Sequence, residues 1–134
     1  MPIERITVSY LIVIISIVAA SILPSQNDII TNVRDAIKAG SSREIGKLLD
    51  QNIDMTLDGK MKSYSKAQAE FMLRDFFKDN PPSSFTIVHQ GASKSGLPYA
   101  IGEYVSSGNT YTVWVRVKKI KEIFVVHEIS FIKE

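Results

Sequence analysis

The amino-acid sequence predicts an α+β fold, and three observations lead to it. Residues 27–80 are dominated by apolar stripes at helical spacing, bounded by start and stop signals. Residues 84–133 read as alternating strands joined by turn dipeptides. No repeat, low-complexity tract or linker divides the chain, and helices followed by a run of antiparallel strands form an α+β domain.

Taken in order, Asn27 or Asp28 caps a helix whose residues Ile29, Ile30, Val33, Ala36 and Ile37 fall on one stripe, and Gly40 closes it. Ser41 and Glu44 form a capping box for a short second helix that turns Ile45, Leu48 and Leu49 inward. Ile53, Met55 and Leu57 then alternate with polar neighbours up to Asp58-Gly59, a hairpin turn. Ser65 and Gln68 form a second capping box, followed by Ala69, Met72, Leu73, Phe76 and Phe77 at helical spacing. Asn80-Pro81-Pro82 ends that helix, because proline has no amide donor and pushes its predecessor out of the helical region.

Four strands follow. The first alternates Phe85, Ile87 and His89 against Thr86, Val88 and Gln90. The second covers residues 97–107 and leads into the turn Gly108-Asn109. The third places Tyr111, Val113, Val115 and Val117 on one face and Thr112, Trp114, Arg116 and Lys118 on the other, and the fourth covers residues 122–132.

A chain of 134 residues has the length for one core, and 45% apolar with 22% charged residues is a globular composition. The net charge of +2 gives no reason to expect a nucleic-acid or anionic-membrane partner. The absence of cysteine excludes disulfides, thiolate metal sites, thiol nucleophiles and a lipid attached through cysteine. No nucleotide-binding glycine pattern or metal-loop pattern occurs, so no cofactor is expected.

Residues 6–23, ITVSYLIVIISIVAASIL, carry no charge; Arg5, partly offset by Glu4, precedes them and a polar break follows. That order is a secretory signal peptide. Val18-Ala19-Ala20 suits cleavage before Ser21, and a cut after Ser25 is the second choice. The competing reading is a retained membrane anchor, since about 18 apolar residues is the lower limit for crossing a bilayer. In both readings residues 1–25 form the targeting segment and residues 26–134 a single exported, periplasmic domain.

Two helices, a hairpin, a capped helix and four long strands resemble the nuclear-transport-factor-2-like roll. More closely, TLDGKMKSYSKAQAEFMLRDFF, IVHQGASKSG and YAIGEYVSSGNTYTVWVRVKK resemble the domain of unknown function 4783 family, small exported proteins of Bacteroidetes. The resemblance covers nearly all of residues 27–134. It implies a strongly curved sheet wrapped round its helices as a cone, and an exported location. It implies no catalytic residue, and the broader roll hosts enzymes and binding modules alike, so function rests on the site.

If Phe85, Ile87 and the stripe from Tyr111 to Val117 face the helices, alternation sends His89 inward. His127 shares a face with Ile123, Val125, Ile129 and Phe131, and Glu103 with Ile101 and Val105. His89, Glu103 and His127, with Tyr64 near them, are therefore the candidate catalytic set of a small isomerase- or dehydratase-like enzyme, a histidine beside a carboxylate being a general-base arrangement. The same three are conceivable zinc ligands, but no local spacing supports a metal site. Against this stands the ordinary reading of two core histidines, each with one hydrogen-bond partner. The favoured expectation is a non-catalytic module binding a protein partner, a second copy of itself or a small apolar ligand.

The basic run 115–122 reads as a solvated turn and SKSG, residues 93–96, as a flexible connection. Phe71 points away from the stripe of its helix, and Trp114, Val88, Phe124 and Val126 fall on outward strand positions. Trp114, Phe71, Phe124 and Val88 are accordingly the interface candidates, for a homodimer or a partner on the outer sheet face.

Overall fold

The computed structural model describes residues 26–134, so the targeting segment and its two cleavage points lie outside the described residues. Helix α1 (Gln26–Lys38) buries Ile29, Ile30, Val33, Ala36 and Ile37, the stripe expected from spacing. It is already helical at Gln26, so Asn27 and Asp28 lie in its first turn instead of capping it. Gly40, at φ +63°, reverses the chain into α2 (Ser42–Gly46), where Ser41 Oγ accepts the Glu44 amide at 3.2 Å. Strands β1 (Leu49–Leu57) and β2 (Lys60–Ser65) form the expected hairpin across Asp58-Gly59.

Helix α3 (Lys66–Asp79) starts on a complete capping box: Ser65 Oγ accepts the Gln68 amide and Gln68 Oε1 the Ser65 amide, both at 3.2 Å. Strands β3 (Ser84–Ala92), β4 (Pro98–Ser106), β5 (Asn109–Ile120) and β6 (Ile123–Lys133) complete the domain. The β4–β5 turn is Ser107-Gly108, both at positive φ, one residue earlier than expected, and Asn109 begins β5. The six strands form one curved sheet in the order β2-β1-β6-β5-β4-β3, antiparallel except where β6 inserts in parallel beside β1.

The inner sheet face closes on α3 through aromatic rings. The Phe76 ring centroid lies 4.5 Å from that of Phe131, 5.4 Å from Tyr111 and 5.8 Å from Tyr104. The Tyr104 hydroxyl donates to the Asn80 carbonyl at 2.5 Å, and the Tyr111 hydroxyl to Asn80 Oδ1 at 3.0 Å. The residue that ends α3 thus also satisfies two buried phenols. Burial pushes the Tyr104 phenol far above its usual range.

Three strands depart from the expected phase. On β4 the buried residues are Pro98, Ala100, Gly102, Tyr104 and Ser106, so Ile101, Glu103 and Val105 face outward. Phe85 gives the reason: a Cβ at Gly102 would lie 2.5 Å from its Cε1 and Cζ, so the inner face must stay small there. On β3, Val88 is an extra residue between the pairs Ile87–Gly102 and His89–Ile101. This bulge reverses the alternation and puts His89 on the outer face. On β6, His127 is the extra residue between the pairs Arg116–Glu128 and Val117–Val126. Ile129 and Phe131 face the core as expected, but before the bulge Phe124 and Val126 turn inward, and Ile123 and Val125 do not.

Candidate functional site

The residues expected to meet inside the cone do not meet. His89 is exposed on β3, with Nε2 2.9 Å from the Tyr99 hydroxyl. Glu103 is exposed on β4, flanked on the outer face by Thr86 and Thr112. His127 lies on β6, three strand spacings or about 14 Å from β3. Tyr64 is on β2 near the opposite edge of the sheet, half-buried against the core margin and paired with Ile53. The interior they were expected to line is occupied by Phe76, Phe77, Phe85, Tyr104, Tyr111 and Phe131.

The outer face instead gathers a different set. Residues 50–53 of β1 stand opposite the single bulged residue His127, and the parallel ladder is interrupted there. At this gap the Asp50 carboxylate lies 2.5 Å from Lys118 Nζ and accepts the Gln51 amide at 2.8 Å. Asp50 is covered, at 7% exposure, yet shallow. Burial alone would raise its carboxyl, but Lys118, the Gln51 amide and the nearby His127 together hold it below the usual range. His127 is half-buried, and burial followed by the Lys118 charge pushes its imidazole below the usual value. Glu128, Asp50 and Asp54 pull the other way without overcoming them, so His127 is neutral at neutral pH.

Beside this cluster Arg116 Nε meets Glu128 Oε2 at 2.9 Å, and the Arg116 guanidinium lies 5.4 Å from the Trp114 ring. Trp114, half-buried, has Ile101 and Ser130 as cross-strand neighbours, and Ile132 is 45% exposed one pair further on. The outward position expected for Trp114 is the one observed. Val88, 61% exposed, sits at the bulge of edge strand β3. Phe71 is 53% exposed on α3 under the Arg74 guanidinium, 4.5 Å from its ring, and borders an open recess of about 350 Å³ with Tyr64 and Met72. It is therefore separate from the Trp114 face. Phe124 and Val126 do not belong to that face, because both pack on the core.

The surface recesses along the helices and at the hairpin ends are lined by neither histidine nor by Glu103. Among the described residues no three His, Cys, Asp or Glu side chains are arranged to hold a metal ion. Sequence reasoning missed Asp50, Glu128 and Asn80. Asn80 is marked only as the stop of its helix, and its partners Tyr104 and Tyr111 and the Lys118 partner of Asp50 lie far along the chain, while Glu128 meets Arg116 across a hairpin whose register the bulge at His127 hides.

Comparison with known proteins adds the family context. The family described as Domain of unknown function (DUF4783) matches residues 30–131. The structure is similar to that of a DUF4783 family protein from Bacteroides uniformis, at 27% identity, over 78% of this chain and 95% of that one, with a TM-score of 0.73. A DUF4783 family protein from Bacteroides ovatus gives 25% identity, 84% and 96% coverage, and a TM-score of 0.73. A nuclear-transport-factor-2-like protein of unknown function from Shewanella baltica shares the fold, with a TM-score of 0.59 at 12% identity over 81% of this chain and 90% of that one. No curated protein matches the chain.

Proposed function

We propose that this chain, which belongs to the family described as Domain of unknown function (DUF4783), is an exported, non-catalytic interaction module. It binds a protein through the outer face of its sheet, a second copy of itself being the first candidate. One observation carries this reading: aromatic side chains occupy the interior, while the groups needed for acid–base chemistry lie apart on the outer face and at the sheet margin. An isomerase- or dehydratase-like site would require His89 or His127 to share a cavity with Glu103, and the strand phases count against it.

The composition of the outer face supports the rest. Tryptophan and arginine are the side chains most enriched where interfaces carry their binding energy. Arg116 and Lys118 are already held by Glu128 and Asp50, so docking a partner on Trp114 orders few additional side chains. Export rests on the uncharged apolar run 6–23 and the polar break after it.

The test is sedimentation of the exported domain beside Trp114→Ala, with a photo-crosslinker at the neighbouring outward position Thr112 in exporting cells. A dimer that dissociates in the variant is the expected result. Monomers in both samples with no crosslinked species would overturn the proposal.

A further inference from the structure

Strand β2 is one edge of the sheet, and among the described residues only β1 pairs with it. Its register with β1 runs unbroken from Lys60 to Ser65, so its other side offers a regular row of main-chain donors and acceptors. The opposite edge differs, because β3 is bent by its bulge at Val88. Lys60, Lys62 and Tyr64 stand opposite Leu57, Met55 and Ile53, and burial of the last two puts all three on the inner face.

Beside that face runs α3, which packs on β1 and β2. Ala67, Gln68, Phe71 and Met72 of the helix and Tyr64 of the strand bound the recess of about 350 Å³. Met61, 60% exposed, lies on the other face of β2 opposite Thr56. A strand laid along this edge would therefore meet apolar side chains on both faces and the free main-chain groups of β2 between them. Lys60 and Lys62 are exposed and make no ion pair among the described residues. The Arg74 guanidinium over the Phe71 ring adds a third positive charge at the recess. The Glu70 carboxylate, one residue from Phe71, lies against Gly46 of α2 instead.

We propose that the edge of β2 is a strand-addition site for an extended acidic segment of a protein partner. An apolar residue of that segment lies opposite Tyr64 and enters the recess beside Phe71. Residues two and four positions further stand on the same face opposite Lys62 and Lys60, where a carboxylate meets an ammonium group as a cross-strand pair. Main-chain bonds supply affinity whatever the sequence, and the recess and the two lysines select it. The lysines also decide which strands are refused. Edge lysines ordinarily keep other strands away, and a second copy paired edge to edge about Lys62 would set like charges opposite each other. Two carboxylates at the matching spacing turn that repulsion into attraction. The site lies apart from the Trp114 face and does not depend on what binds there.

The test uses the protein recovered from exporting cells and a displayed library of random linear peptides. Enriched peptides are expected to carry an apolar residue with acidic residues two and four positions from it. Adding one of them should slow amide hydrogen exchange across residues 60–65. Lys60→Glu with Lys62→Glu, at two exposed positions that leave the fold intact, should weaken that peptide at least several-fold and turn the selection toward basic peptides. Phe71→Ala should weaken it without changing the charge preference, and Trp114→Ala should leave it unchanged. No enrichment, equal binding to the charge-reversed variant, or unchanged exchange at 60–65 overturns the proposal. Loss of binding in Trp114→Ala puts the peptide on the outer face and overturns it too. Slow exchange along 60–65 before any peptide is added means that the edge is already covered by the chain itself or by a second copy, and is equally fatal to it.

Discussion

Lys118→Met removes the cation bonded to the covered Asp50 carboxylate while keeping the length and packing of the stem. The magnitude follows from the site. Breaking a fully buried ion pair by deleting one partner costs about 3–5 kcal/mol, and an exposed pair is worth about 1 kcal/mol or less. Here Asp50 is 9% exposed at its side chain but shallow, and Lys118 is 42% exposed. The Gln51 amide still satisfies one carboxylate oxygen after the substitution. The loss expected is therefore intermediate, about 1–2 kcal/mol, read from urea unfolding at neutral pH. Two companion measurements separate stranded charge from lost packing. Lys118→Met with Asp50→Asn should recover most of the loss, since no carboxylate is left unpaired. The His127 imidazole should titrate at higher pH in Lys118→Met, because the Lys118 charge that adds to burial in depressing it is gone. A stability change within about 0.3 kcal/mol of zero, an unmoved His127 titration, or no recovery in the double variant would refute the account of this cluster.

Two further outcomes are expected. Gly102→Ala should cost about 1–3 kcal/mol through overpacking, because its Cβ would meet a Phe85 ring that is itself 3% exposed, and Phe85→Leu should relieve part of that cost in urea unfolding. Acidification should lower the melting temperature as the pH falls below 6.5, and His127→Gln should flatten that dependence. His127 titrates in the fold below its ordinary 6.5, so the unfolded chain takes up the proton first, and its contribution is complete above 6.5 and lost below it. Asp50, held below its ordinary 3.8, adds a second loss only as the pH falls through that lower range.

The features legible in the sequence are those decided within a few residues of one another. Ser65 and Gln68 announce α3 because a capping box closes over three residues, and the stripe of Ile29 to Ile37 needs no knowledge of what it packs on. β5 is read correctly because its alternation from Asn109 to Ile120 runs through without a bulge on its own side. β4 is misread because its inner face is set by a ring on another strand: Phe85 demands Gly102, and small residues there leave Ile101 and Val105 as the louder apolar signal. The histidines fail for a related reason. Whether Val88 or His127 is an extra residue depends on the length of the strand opposite, which neither segment states. The bulge at His127 faces the irregular stretch 50–53 of β1, which also carries the Asp50 that meets Lys118. The outer-face cluster and the misplaced His127 therefore sit at the same break in the ladder. Alternation locates a side chain only as far as the first bulge, and both histidines lie at or beyond one.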